Sequence, residues 1–258
     1  MARQRWRVVF ARGDAAAQLA HAEALKHWES ALLAAGVPLA FSLGQSPKAR
    51  LSFAAPLPVG MLAAGELADL VLTERLTMPE LRTRLGACLP AGYCLVDLFD
   101  VWLGDPTAAS TLVAADYRVA LRGASDDELA EACAALLGAA TLPLVRAKGG
   151  GGAGVQFDLR PQLLGLAVAR DVSIDPYTVG MRLQLTRDAA PARPEEVVQA
   201  LAHAIGHPVD TAAIIRQRLW TASDDLPQHD DLPPFDAQQG SPYTPHSRPD
   251  GRPRQPVP

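Results

Sequence analysis

His21, Leu25, Trp28 and Leu32 recur at the i, i+4, i+7 and i+11 positions of a helix, which places the imidazole on an otherwise apolar stripe. A histidine there can act as a general acid or base near neutral pH. It can equally be a hydrogen-bonded residue at a helix start. A second group lies between Gly44 and Arg50, where Ser46, Lys48 and Arg50 offer a hydroxyl and two cations to a phosphate. Two basic residues in a loop are also an ordinary surface feature. The run Lys148-Gly149-Gly150-Gly151-Gly152-Ala153-Gly154 formally contains Gly-x-Gly-x-x-Gly, but it joins strand to strand, with no helix start to receive a pyrophosphate. It reads as a hairpin tip, beside which Arg146 and Lys148 could touch a partner or a nucleic acid. Asp158 and Arg160 alternate on one strand face, and Arg160 could fork onto a phosphate or carboxylate. The alternative has Asp158 and Arg160 fixing the junction between two halves through ion pairs, with Pro161 ending the strand's ladder.

Other chemistries lack their residues. There is no His-Glu-x-x-His, no Gly-x-x-x-x-Gly-Lys-Ser/Thr and no Gly-x-Ser-x-Gly. Asp97 and Asp100 are oddly spaced on an expected strand, so they face opposite ways. Cys88, Cys94 and Cys133 have neither disulfide nor metal-site spacing and read as free thiols. No metal and no cofactor is expected. The expected strands also lack the aromatic pattern on which RNA-recognition sheets stack bases.

The elements that must position these residues repeat in order. Trp6–Ala11 alternates as a strand, and Ala15–Ala35 is helical with Asp14 as N-cap. Leu39–Ser42, Arg50–Ala54 and Leu67–Thr73 read as strands. Thr77-Met78-Pro79-Glu80 opens a helix with a capping box, and Tyr93–Val101 is a strand. The second half runs strand Tyr117–Arg122, helix from Ser125, strands Leu142–Lys148, Val155–Leu159 and Met181–Thr186, helix from Arg193-Pro194, and strand Ile214–Trp220. This predicts an α+β protein of two ferredoxin-like (βαββαβ) halves from a duplication, residues 1–105 and 112–221. Nine of the 22 prolines lie in residues 222–258, which have almost no large apolar residues, so that tail is expected to be disordered.

Several of these segments resemble a known family. Arg7-Val8-Val9-Phe10-Ala11, the helix piece Gln18–Glu23, the runs Ala35–Gly44 and Arg50–Gly60, and Asp158-Leu159-Arg160-Pro161 are similar to the radical-SAM-linked protein family. Those are small proteins encoded beside, or fused to, cobalamin-type radical SAM proteins, without a settled activity. The resemblance covers roughly residues 5 to 220 and is most specific at Pro56–Gly60 and Asp158–Pro161. Where the family reads Ser-His-Leu-Asp, this chain has Ala20, His21, Ala22 and Glu23; a paired Arg becomes Leu33 and Ala34. Gly-Phe-Asn-Pro-His-Pro becomes Gly44, Gln45, Ser46, Pro47, Lys48 and Ala49. What the resemblance implies is a radical SAM partner. This chain has no three-cysteine cluster motif of its own, so another polypeptide would perform any radical chemistry.

Of the 258 residues 48% are hydrophobic, enough for a proper core, and the net charge is −4. Residues 1–60 hold seven Lys/Arg against three Asp/Glu, a balance of +4, and the remainder carries −8. A basic first half could meet phosphates, or its arginines could decorate an edge strand. No run approaches the roughly 18 apolar residues of a membrane span, and a cytoplasmic protein is expected. The function expected is a non-catalytic accessory that presents RNA or another substrate to a radical SAM protein. The alternatives are an RNA-processing or RNA-modifying enzyme using His21, and a protein-interaction scaffold.

Overall fold

Trp6, Val8 and Phe10 alternate along β1 (Gln4–Arg12) and are buried, as a half-buried pleat requires. The computed structural model describes residues 2–148, 152–169, 177–185 and 191–224. After β1 the chain forms α1 (Asp14–Ala17), α2 (His21–Ala34), β2 (Leu51–Phe53), β3 (Leu62–Leu72), α3 (Met78–Cys88) and β4 (Tyr93–Val101). A linker with one short turn, α4 (Ala108–Thr111), leads to β5 (Leu112–Arg122) and α5 (Asp126–Gly138). Then come β6 (Pro143–Lys148), β7 (Gly152–Asp158), β8 (Leu163–Ala169), β9 (Tyr177–Gln184), α6 (Pro194–Ile205) and β10 (Asp210–Thr221).

Local chemistry sets the helix starts. The Glu80 carboxylate accepts the Thr77 N–H at 2.7 Å while Thr77 Oγ1 accepts the Glu80 N–H, and Ser125 and Glu128 repeat the arrangement. The expected single helix over 15–35 is instead broken into α1 and α2. Gly60 N–H donates to the Ala17 carbonyl at 2.8 Å and Arg12 donates to the Leu19 carbonyl, so the chain turns where those carbonyls are captured. Gly13, not Asp14, precedes the first helical residue.

The main sheet runs β4-β1-β3-β10-β5-β9-β8, with β2 on the β3 edge. All its pairs are antiparallel except β3–β10, which run parallel through Leu62–Ile215 and Ala63–Arg216. The order β4-β1-β3-β2 in the first half recurs as β10-β5-β9-β8 in the second. The β6–β7 hairpin is a separate two-stranded sheet. Trp6, Val8 and Phe10 pack against Trp28 and Leu32 of α2 and Leu81 and Leu85 of α3. Tyr117, Val119 and Leu121 belong to the cluster of Leu129 and Leu136 of α5 and Val197 and Leu201 of α6. Each fully buried large side chain contributes about 1.5–3 kcal/mol.

Several boundaries differ from expectation. Leu39–Ser42 makes only isolated bridges, at Leu39 and Phe41, because Pro38 and the Gly44–Lys48 loop leave no continuous partner. β3 begins five residues before Leu67, and β8 lies where no element was expected between Leu159 and Met181. The chain continues in order past 221: Ala222 N–H bonds the Thr111 carbonyl, and the Asp224 carboxylate accepts from Thr221. The rest of the expected tail, 225–258, lies outside the described residues, as do 149–151 of the glycine run. No helix among the described residues is long and apolar enough to cross a membrane.

Candidate functional site

Glu66 is an acid inside the apolar run of β3, so burial obliges it to find a cation. Arg216 of β10 meets it with both prongs, Nε and Nη2 each 2.6 Å from a carboxylate oxygen. The same guanidinium donates to the carbonyls of Pro56 and Ala55. Burial works to lower the Arg216 pKa, but Glu66 and the Tyr117 hydroxyl outweigh it and hold the charge. Burial pushes the Tyr117 hydroxyl up. Glu66 sits opposite Phe10 on the side of β3 that faces α2, and Arg216 sits opposite Tyr117. Their contact therefore places both helix layers on one side of the sheet.

Arg12 stands beside this pair. Its guanidinium donates to the Met61 carbonyl at 2.6 and 3.1 Å and to Pro58 O, closing a turn in which Met61 N–H returns to Pro58 O. Gly60 occupies the third turn position at φ +84°, which a side-chain-bearing residue would strain. Burial lowers the Arg12 pKa, opposed by Tyr93 and Glu66. The conspicuous Pro56–Gly60 segment is thus the strap that Arg12 and Arg216 hold against the junction.

His21 opens α2 beside this cluster. Its ring lies edge-on to Phe53 at 5.7 Å, within a set that includes Phe10, Trp28 and Tyr93. The cavity that His21 lines with Phe10, Arg12, Phe53, Glu66 and Tyr93 is about 10 Å³, room for one water. Tyr93 Oη is buried there beside the Arg12 guanidinium, and burial raises its pKa while Arg12 works to lower it. A larger groove of about 260 Å³ lies between Pro58–Met61 and the start of β10, with Glu195 on its wall. Of the groups that share this cavity with His21, the Glu66 carboxylate is taken by Arg216 and Tyr93 lies beside Arg12. No three metal-binding side chains gather among the described residues.

The opposite sheet face uses the N-terminal arginines. Arg5 donates to the carbonyls of Trp102 at 2.8 Å and Asp105 at 2.6 Å. Arg7 forks onto Asp69, at 2.9 and 3.4 Å, and Asp69 also accepts the Ala108 N–H at 2.8 Å. Arg5, Arg7 and Arg12 are therefore structural clamps, and β1 lies between β4 and β3, which corrects the expectation that these arginines decorate an edge strand; Arg3, ahead of β1, is exposed.

The remaining sequence candidates separate. Ser46, Lys48 and Arg50 share one exposed loop, closed at its base by Ser42 N–H to Lys48 O and Lys48 N–H to Ser42 Oγ. Leu51 and Phe53 face the helices, so alternation turns Arg50 to the other sheet face, away from His21. Arg146 forks onto Glu196 at 2.6 and 2.8 Å and stacks 4.6 Å above Phe157, so it is occupied within its own half. Lys148 pairs with Gly152 at the hairpin end.

Arg160 donates to the carbonyls of Leu137, Ala139 and Leu163, capping the exit of α5. Asp158 accepts the N–H of Leu142 and of Arg160. The two residues thus secure a corner among residues 137–163 through backbone groups, which corrects the expectation that they fix the junction between the halves through ion pairs. Pro161 lies in a single 3₁₀ turn, Arg160–Gln162, directly after β7. Trp102, Glu66 and Arg216 escaped the sequence reading, although an acid amid LAAGELADLVL was a usable signal.

Residues 5–203 match the family described as "Uncharacterized protein conserved in bacteria (DUF2344)". The chain belongs to that family. Its description names no activity and makes no reference to radical SAM proteins. No curated protein matches this member of the family. Among solved structures, a chain of the "Crystal Structure of a Cbf5-Nop10-Gar1 Complex" is similar at 8% identity and a TM-score of 0.46, covering 84% of this chain. This chain spans 48% of that neighbour, and at such distance the likeness carries no functional argument.

Proposed function

We propose that this protein is a cytoplasmic, non-catalytic accessory that presents RNA to a radical SAM partner, with the Phe41–Arg50 loop as its contact. The observation that carries the reading is the contrast in how cations are used. Arg5, Arg7, Arg12, Arg146, Arg160 and Arg216 are spent on carbonyls and carboxylates of the fold, whereas Lys48 and Arg50 project from an exposed loop. No acid occurs in the sequence between Glu29 and Glu66 to neutralise them. The recurring strand order supports reading residues 1–105 and 112–221 as two duplicated ferredoxin-like units sharing one sheet. The radical SAM partner rests on the resemblance at Pro56–Gly60 and Asp158–Pro161. The separation of His21 from the basic loop weighs against the enzymatic reading.

The test is RNA binding by the full chain across a salt series, together with co-purification with a co-expressed radical SAM protein. A linear fall of log affinity with log salt is expected, with a slope smaller by about one for each of Lys48→Ala and Arg50→Ala. Salt-independent or absent binding sinks the RNA part, and a co-expressed partner that elutes separately sinks the accessory part.

A further inference from the structure

We propose that Trp102 is a base-stacking platform for single-stranded RNA, with Arg3, Lys48 and Arg50 taking the flanking phosphates. This rests on the RNA reading above and adds to it the state of the ligand and the residue that reads its bases. Trp6, Trp28 and Trp220 are buried, at 2%, 0% and 4% exposure, while Trp102 is 72% exposed. An exposed indole offers a flat apolar face of the kind on which a nucleic-acid base stacks.

The ring is held in place. Arg5 donates to the Trp102 carbonyl, and Asp105 N–H returns to it at 3.0 Å, closing a tight turn. The benzo edge lies over Gly104, where a Cβ would fall 2.2 Å from the ring. An aromatic pinned by its own backbone turn and otherwise open pays little ordering cost when a base stacks on it.

Register supplies the cations. Val101 lies opposite Arg5, Arg5 opposite Val71, and Val71 N–H donates to the Arg50 carbonyl. This is one line across β4, β1, β3 and the lead into β2, three strand spacings or ~14 Å wide, and the turn after Val101 is held at its end by Arg5 through the Trp102 and Asp105 carbonyls. Arg3 is exposed, and alternation puts it on the face of Arg5 and Arg7. Burial lowers the Arg5 pKa and the charges of Arg7 and Arg50 push the same way, which marks Arg50 as a neighbour on this face. Of the acids here, Asp69 is matched by Arg7 and Asp97 by Arg82, which leaves exposed Asp105 against three exposed cations. A duplex hides its base faces, so a single ring beside a basic loop suits an unpaired strand.

The experiment titrates the full chain with short oligo(A) and oligo(U) while following tryptophan emission. Since the other tryptophans are buried, quenching reports Trp102. Quenching is expected, with affinity falling about tenfold in Trp102→Ala at unchanged salt slope and largely retained in Trp102→Phe. Gly104→Ala, which displaces the ring without removing it, should weaken binding in the same direction. Near-ultraviolet circular dichroism of each variant separates loss of the platform from loss of the fold. Binding without quenching, and unaffected by Trp102→Ala, overturns the platform and leaves the RNA reading standing. No binding by the unaltered chain overturns both. Equal competition by oligoglutamate, showing a mere sink for negative charge, also overturns the platform.

Discussion

Glu66 and Arg216, 150 residues apart in sequence, close a two-pronged buried ion pair where β3 and β10 join the two halves. Removing one partner strands a charge in a site that water cannot reach. Glu66→Leu or Arg216→Met should each cost about 3–5 kcal/mol in urea unfolding. The Glu66→Leu/Arg216→Met double variant should recover much of that loss, because no orphan charge remains. Additive losses would show that the pair is not a coupled unit.

Arg160 and Lys48 should behave as opposites. Arg160→Ala deletes charge-assisted bonds to the exit of α5 and should cost about 1.5–3 kcal/mol of stability, with RNA affinity unchanged once the protein is folded. Lys48→Ala should leave the unfolding curve in place and lower RNA affinity. Parallel denaturation and binding curves decide the matter, and a salt slope altered by Arg160→Ala would return that residue to the binding surface.

The three thiols should react in order of access. Burial pushes the Cys133 thiol up to about 12 and also raises Cys88, which is half-buried, whereas Cys94 is exposed. Iodoacetamide followed by mass spectrometry should modify Cys94 first and Cys133 only in denaturant. Early labelling of Cys133 in the native protein would contradict the packing of α5 on the sheet.

The contact between Glu128 at the start of α5 and His207 before β10 should be pH-tuned. The Ser125 amide, then the Ser125 hydroxyl and His207, hold the Glu128 carboxyl down to about 2 from an ordinary 4.5. Its contribution is present above 4.5 and lost as pH falls toward 2. The Pro208 carbonyl, then Glu128, raise the His207 pKa above its ordinary 6.5, so that contribution is full below 6.5 and fades as pH rises through the raised value. The contact is therefore strongest between about 4.5 and 6.5. Nuclear magnetic resonance should show His207 titrating late, with its midpoint lowered in Glu128→Gln; an unmoved midpoint would refute the pairing.

The sequence by itself determined what depends on near neighbours. Thr77 with Glu80 and Ser125 with Glu128 announced their helices, because a capping box closes within four residues. β4 ran from Tyr93 to Val101 as its pattern indicates, and α6 began at Pro194. The exposed Lys48 and Arg50 loop was legible too, since glycine, serine and proline around two cations suit a surface turn. Tertiary structure alone decided what the other arginines do. Arg5 reaches the carbonyls of Trp102 and Asp105, and Arg216 reaches Glu66, across about 100 and 150 residues of chain. A guanidinium reads the same in sequence whether it waits for a phosphate or holds a carbonyl. Only the register of β1, β3, β4 and β10 brings those carbonyls within reach, and alternation along β2 turns Arg50 away from His21 and toward the face on which Arg5 holds the turn at Trp102.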